Sequence, residues 1–162
     1  MTAITYRQIG IIRSPFTEAR ETPIQPSGAT GINGFIELLP EYIRAMKDLE
    51  GFSHIILLYH FHLSKGYSPS VKPFLDSKYR GVLATRSPNR PNPIGLSVVR
   101  LDGIEGNILH IRDIDIVDGT PLLDIKPYVP AFDIREVERI GWLGNNIHKL
   151  WDTRDDGRFS KK

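Results

Sequence analysis

Short apolar runs and period-two alternation fill most of this chain, and helical spacing is confined to two places. Ile4-Thr5-Tyr6-Arg7 alternates as a half-buried strand does, and the apolar phase then moves to Ile9 and Ile11 around Gly10, which predicts a bulge there. Residues 14–31 carry Pro, Thr, Ser and Gly without periodicity and read as a long loop, of the kind that often holds function. Residues 34–39 form a short strand. Pro40 then opens a helical pattern through Tyr42, Ala45, Met46 and Leu49. Ile55 to Tyr59, inside the apolar stretch 52–63, is too short to span a membrane and reads as a buried central strand.

A polar excursion over 64–80 is followed by a strand over 81–85 and a hairpin over 94–116, with turn signals at Asp102-Gly103 and Gly106-Asn107. The hairpin's return arm places Leu109 and Ile111 on one face and Ile114 and Ile116 on the other. Either a bulge falls near Arg112-Asp113, or Asp113 and Asp115 share the face of Leu109 and Ile111. Leu122, Asp124, Lys126 and Tyr128 have even spacing and share one strand face, opposite Leu123 and Ile125. After Asp133 the spacing of Ile140, Leu143 and Ile147, followed by Leu150 and Trp151, predicts a late helix. Many short strands without βα alternation imply a mainly β fold, an antiparallel β-barrel with short helices and a C-terminal helix. The expected organisation is a barrel over 1–133 and a helical extension over 134–162 packed on it.

Composition narrows the chemistry. The chain has no cysteine, which removes disulfides, thiolate nucleophiles and Cys-ligated zinc. No apolar run has membrane-spanning length, so the expected setting is cytoplasmic, with no membrane partner. His60 and His62 lie two apart, on one face of the strand, but two ligands do not make a metal site, and no metal is expected. Net charge is only +2, yet residues 65–100 hold seven basic residues against Asp76 alone. That surplus suits either a polyanion partner or a solvated basic surface.

Arg86-Ser87-Pro88-Asn89-Arg90-Pro91-Asn92-Pro93 packs three prolines into six residues. Each fixes its own φ and biases the residue before it toward extended geometry. Such a loop loses little entropy on ordering, so Arg86, Arg90 and Asn92 are either preset donors for a charged ligand or parts of a rigid turn. Neither a dinucleotide fingerprint, nor a phosphate loop, nor a His-Glu-x-x-His motif, nor a nucleophile elbow is present.

Five stretches follow one another in an order that resembles a known family: Ile9 to Phe16, Gln25-Pro26, Leu49 to His54, Thr85 to Gly95, and Asp118-Gly119-Thr120-Pro121 through Pro127-Tyr128. This is the TrmO family, also called TsaA-like or YaeB-like. Its members are S-adenosylmethionine-dependent tRNA methyltransferases acting on N6-threonylcarbamoyladenosine beside the anticodon. The resemblance spans roughly residues 4–132 and implies a single-sheet antiparallel barrel and a homodimer.

Carried over by position, it implies that Gln25, Pro26, Ser27, Phe61, His62, Arg86, Leu96 and the run Arg112, Asp113, Ile114, Asp115 hold the methyl donor. Arg90, Asn92, Asp118, Asp124, Lys126 and Tyr128 fall at the family's signature positions around the reaction centre. His62, Asp118 and Asp124 are the candidate proton acceptors, and Arg90 or Lys126 would meet a substrate carboxylate. Two departures stand out. Ser27 occupies the family's glycine position, and longer members carry an extra C-terminal domain. A non-enzymatic RNA-binding barrel and a same-fold methyltransferase with another substrate are the competing classes.

Overall fold

A computed structural model describes residues 2–160. Among them, six strands close into an antiparallel barrel: β1 (Gly10–Arg13), β2 (Asn33–Leu38), β3 (His54–His60), β6 (Ile94–Glu105), β7 (Ile108–Arg112) and β8 (Thr120–Pro127), in the order β1-β2-β7-β6-β3-β8. Two further short strands, β4 (Ser70–Val71) and β5 (Arg80–Gly81), pair with each other outside the barrel. Closure leaves no barrel edge free for strand addition.

Alternation decides which side chains point inward. Ile55, Leu57 and Tyr59 of β3 are buried while Ile56 and Leu58 face outward, and in β6 Gly95, Ser97, Val99 and Leu101 point in. The interior is completed by Ile12, Ile36, Leu109, Ile111, Ile114 and Leu122, each at most 1% exposed. Full burial of an Ile or Leu side chain contributes about 1.5–3 kcal/mol, so this branched aliphatic interior accounts for the register. Gly10 has a packing reason rather than a bulge. A Cβ there would come within 2.7 Å of the Glu37 carbonyl oxygen.

Several expected elements differ. Residues 4–7 form no strand, and Ile4 and Tyr6 are exposed; on the β2 side the partner strand ends at Leu38, opposite Gly10. The expected strand over 81–85 is only Arg80–Gly81, followed by a 3₁₀ turn over Val82–Ala84 that buries Val82. The helical pattern after Pro40 is realised as a 3₁₀ segment over Pro40–Met46. Asp102-Gly103 lies within β6, where the register slips opposite β7, and the hairpin turns at Gly106-Asn107.

The late helix is absent: Pro130–Asp133 makes one α-turn, and Gly141–Asn145 and Ile147–Lys149 are separate 3₁₀ turns. Gly141, at φ 59°, adopts a left-handed conformation incompatible with helix continuation. In β8 the register against β3 slips between Leu122 and Asp124. Leu122 therefore points inward opposite Tyr59, whereas Asp124 and Lys126 sit opposite the outward Leu58 and Ile56. The expected common face of Leu122, Asp124 and Lys126 is broken by that bulge.

Candidate active site

The cleft with the densest polar chemistry has a volume of about 360 Å³ and opens where the ends of β3, the start of β6 and the loops at 19–25, 61–64 and 85–93 meet. Gln25, Phe61, His62, Arg86, Arg90, Asn92, Leu96 and Asp115 all line it. They come from well-separated parts of the sequence, and the closed sheet brings them together. Its volume and its mixture of apolar walls with a few polar groups are those of a small-molecule site.

At its floor lies a polar chain inside an otherwise apolar interior. Ser97 Oγ donates to Asp115 Oδ1 at 2.7 Å, and Tyr59 Oη is 3.0 Å from Ser97 Oγ. With Asp115 ionised, the single Ser97 proton goes to the carboxylate, and Tyr59 is then the donor to Ser97. Burial raises the Asp115 carboxyl to about 7, against the opposing pull of the Ser97 hydrogen bond and the Arg86 charge. Burial also pushes the Tyr59 hydroxyl well above its ordinary range. Gly95 makes room for this arrangement, since a Cβ there would lie 2.2 Å from the Tyr59 ring and 2.9 Å from Phe61.

The walls are preset. Arg86 Nη1 donates to Gln25 Oε1 at 2.7 Å, and Arg90 Nη1 donates to the Thr85 carbonyl at 3.0 Å. The buried Asn89 side chain accepts from Ser64 Oγ at 3.1 Å and from the Lys65 amide at 3.3 Å, tying the proline loop to the chain after β3. His62 follows a tight turn in which its amide donates to the His60 carbonyl. Burial and the neighbouring His60 lower its pKa, so its imidazole is neutral near pH 7. That turn also ends the strand before His62, which is why the expected pairing of His60 and His62 on one strand face does not arise. Among the described residues no group of three or more His, Asp or Glu is arranged to hold a metal ion.

Other expected site residues lie off this cleft. Ser27 lines an adjoining, more apolar cleft of about 620 Å³, which shares Gln25 and Arg86 with the first. Pro26 begins the 3₁₀ turn beside it. Arg112 is paired with Asp102, Asp113 accepts from the Gly31 amide at 2.7 Å, and Ile114 is a core residue. Asp113 adopts φ 68°, and this left-handed residue, not a bulge within paired strands, turns Ile114 inward and Asp115 toward the cleft. Asp118 accepts from the Ser14 amide and lies 3.6 Å from Arg13. Asp124 and Lys126 form a 2.7 Å ion pair on the barrel exterior, and Tyr128 packs edge-on to His54.

The sequence pattern does not single out the cleft residues Tyr59, Asp155 and Ser160, or Ser97, which lies behind the floor bonded to Tyr59 and Asp115. Ser97 had a signal, a hydroxyl on the inward phase of an apolar strand. The basic run also looks different once folded, because Arg80 is held by Asp76 at 2.7 Å and lies over the Trp142 ring.

Comparison with known proteins agrees with this architecture. A family model described as the tRNA-methyltransferase O N-terminal domain matches residues 11–134. A protein of Pyrococcus abyssi named "Probable S-adenosyl-L-methionine-binding protein" is 61% identical over 96% of this chain and 85% of its own length. The tRNA (adenine(37)-N6)-methyltransferase of Escherichia coli K12 is 43% identical over 80% of this chain, which spans only 60% of that enzyme. A crystal structure of TrmO from Pseudomonas aeruginosa superposes with a TM-score of 0.74 at 42% identity, covering 88% of this chain and 62% of that one. With the family model matching most of the barrel and its proline loop, the chain belongs to the tRNA-methyltransferase O family.

Proposed function

We propose that this chain is an S-adenosylmethionine-dependent tRNA methyltransferase that modifies the N6 nitrogen of threonylcarbamoyladenosine beside the anticodon. The observation that carries the reading is the convergence of Gln25, Phe61, His62, Arg86, Leu96 and Asp115, all expected donor residues, on one cleft. Their chemistry suits that donor. The rings of Tyr59 and Phe61 offer an apolar wall, and the buried Asp115 carboxylate offers a countercharge to a cation. When bound, the donor supplies an electrophilic methyl group on a sulfonium.

The acceptor nitrogen bears a carbonyl and needs alignment and loss of its proton. His62, neutral and on the cleft wall, suits that acceptor role better than Asp118, which is engaged by Ser14 and Arg13, or Asp124, which is paired outside the barrel. Arg90 and Asn92 line the same cleft, and Arg90 is the cation for the substrate carboxylate by its bidentate geometry. Lys72 and Lys78, both exposed, lie in the excursion that borders the cleft and meet the RNA backbone. A tRNA partner sets the chain in the cytoplasm.

A homodimer is part of this reading. The outward face of β3 and β6 presents Ile56, Leu58, Ile94, Leu96 and Val98 as one apolar patch, with Leu96 48% exposed. The Asp124–Lys126 pair borders that patch, so a second copy seated there brings these signature residues into the assembly.

Calorimetry with S-adenosylmethionine tests the donor. Mass spectrometry of tRNA after incubation with both substrates tests the reaction, by the gain of one methyl group on threonylcarbamoyladenosine. Light scattering tests the dimer. Absence of donor binding by folded protein overturns the enzyme reading in favour of an RNA-binding barrel.

A further inference from the structure

The cleft has a wall that the matched family region does not contain. Asp155 and Ser160 line it, and both lie beyond residue 134. They belong to a segment, residues 153–160, that runs along the cleft and is fastened at both ends. At one end, the Glu21 amide donates to the Asp155 carbonyl at 2.7 Å, the Asp155 amide donates to the Thr22 carbonyl at 2.9 Å, and Pro23 pairs with Arg154. These contacts hold the loop that delivers Gln25 to Arg86. At the other end, Phe159 is buried with Val71, Val82 and Phe74, and Arg158 donates to the carbonyls of Lys72 and Pro73 while its guanidinium lies over the Phe74 ring. Ser64 pairs with Ser160, and the Lys65 amide donates to the Phe159 carbonyl at 3.3 Å.

We propose that residues 153–160 act as a strap that positions the Gln25 loop and completes the wall of the donor cleft, anchored by the backbone pairing of Asp155 at one end and by Arg158 and Phe159 at the other. The inference rests on the donor reading above and adds to it that affinity depends on residues beyond the matched family region, 11–134. Three observations carry it. The strap bonds directly to the backbone of Glu21 and Thr22 and pairs with Pro23, and Thr22 and Pro23 themselves line the cleft. It adds two polar side chains to the cleft itself. It contributes nothing to the barrel interior, whose buried cluster ends at Leu122. Asp155 is half-buried at this wall. Burial raises its carboxyl even though the Gly157 amide donates to it at 2.6 Å, so its surroundings are already withdrawn from bulk water. A strap with anchors at both ends removes freedom from a binding loop before the ligand arrives, and preorganisation of that kind appears as affinity.

The test compares three proteins by calorimetry with S-adenosylmethionine, alongside thermal unfolding: the full chain, a chain ending at Asp152, and Arg158→Ala in the full chain. Amide exchange at residues 21–25 is followed in parallel. The expected result is that the shortened chain melts cooperatively, binds donor at least tenfold more weakly than the full chain, and exchanges faster at residues 21–25. Arg158→Ala is expected to weaken binding at least threefold with the same local increase in exchange, and Arg158→Lys to recover part of it. Unchanged affinity in a folded shortened chain overturns the proposal. If the shortened chain does not fold, Arg158→Ala decides: normal affinity and normal exchange at 21–25 overturn the strap, and loss of both supports it. Failure of the full chain itself to bind donor counts against the donor reading instead.

Discussion

Gln25 and Arg86 stand 61 residues apart in sequence and meet across the cleft through a 2.7 Å hydrogen bond between Oε1 and Nη1. The contact joins a loop with no regular strand to the proline-stiffened loop before β6, and both residues line both adjoining clefts. Removing the guanidinium unties both loops. Arg86→Ala is expected to weaken S-adenosylmethionine binding by tenfold or more while shifting the melting temperature little, since the bond is solvent-exposed. Calorimetry and thermal unfolding on the same variant check both halves.

Asp115 links the site to pH. Its folded pKa of about 7 lies above its unfolded value near 3.8, so the folded state holds the proton more tightly between those limits. The stability contributed by the protonated group is complete below about pH 4 and is lost as pH rises through 7. A rise of that size corresponds to about 4 kcal/mol as a ceiling. Asp115→Asn, neutral throughout, is expected to match the natural chain in urea unfolding near pH 4 and to exceed it at pH 8. Equal stability of the two at both pH values would refute the burial argument. The same variant is expected to bind the cationic donor less well than the natural chain at pH 8, where the natural carboxylate is ionised.

His62 is expected to act on the proton in addition to lining the donor's cleft. His62→Gln is expected to lower single-turnover methyl transfer at saturating donor by about 10²–10⁴-fold, the usual contribution of a positioned acid–base group, and donor affinity measured separately reads its other role. A rate within threefold of the natural chain would remove His62 from the proposed reaction centre.

Asp124→Asn separates two roles for the signature strand. The Asp124–Lys126 pair is exposed on the barrel exterior, and its loss is expected to cost about 0–1 kcal/mol of monomer stability. A rate loss without a stability loss, accompanied by weaker self-association in light scattering, is the outcome expected if a second copy brings the pair to the site. Normal rate and normal association would leave it a surface ion pair.

Gly95→Ala tests the floor. The new methyl would overlap the buried Tyr59 ring at 2.2 Å, and that ring has the Ser97 hydroxyl bond to hold it in place. Overpacking of this kind costs about 1–3 kcal/mol, read as a lower midpoint in urea, and displaces the wall shared with Phe61, so donor affinity is expected to fall as well.

Much of the barrel was determined locally. Alternation in residues 54–60 and 94–101 fixes which side chains enter the interior, because a one-residue slip would expose Ile55, Leu57 and Val99 together. The prolines at 88, 91 and 93 likewise constrain the loop that carries Arg86, Arg90 and Asn92, since their effect on φ needs no partner. What tertiary structure decided lies wherever a local pattern met a competing neighbour. The spacing of Leu122, Asp124 and Lys126 is even in sequence, but pairing with β3 slips one residue and sends the two charges to the outside. Asp113 takes a left-handed turn, and with it Ile114 enters the core and Asp115 the cleft. The apolar residues from Ile140 to Leu150 have helical spacing, yet they form two short turns, and Trp142 donates to the Ala84 carbonyl across the second cleft. Nothing in the composition of residues 153–160 marks them as a wall. Their place is set by long-range backbone pairing with residues 21–23 and 64–65 and by one buried phenylalanine, contacts that exist only once the barrel has closed.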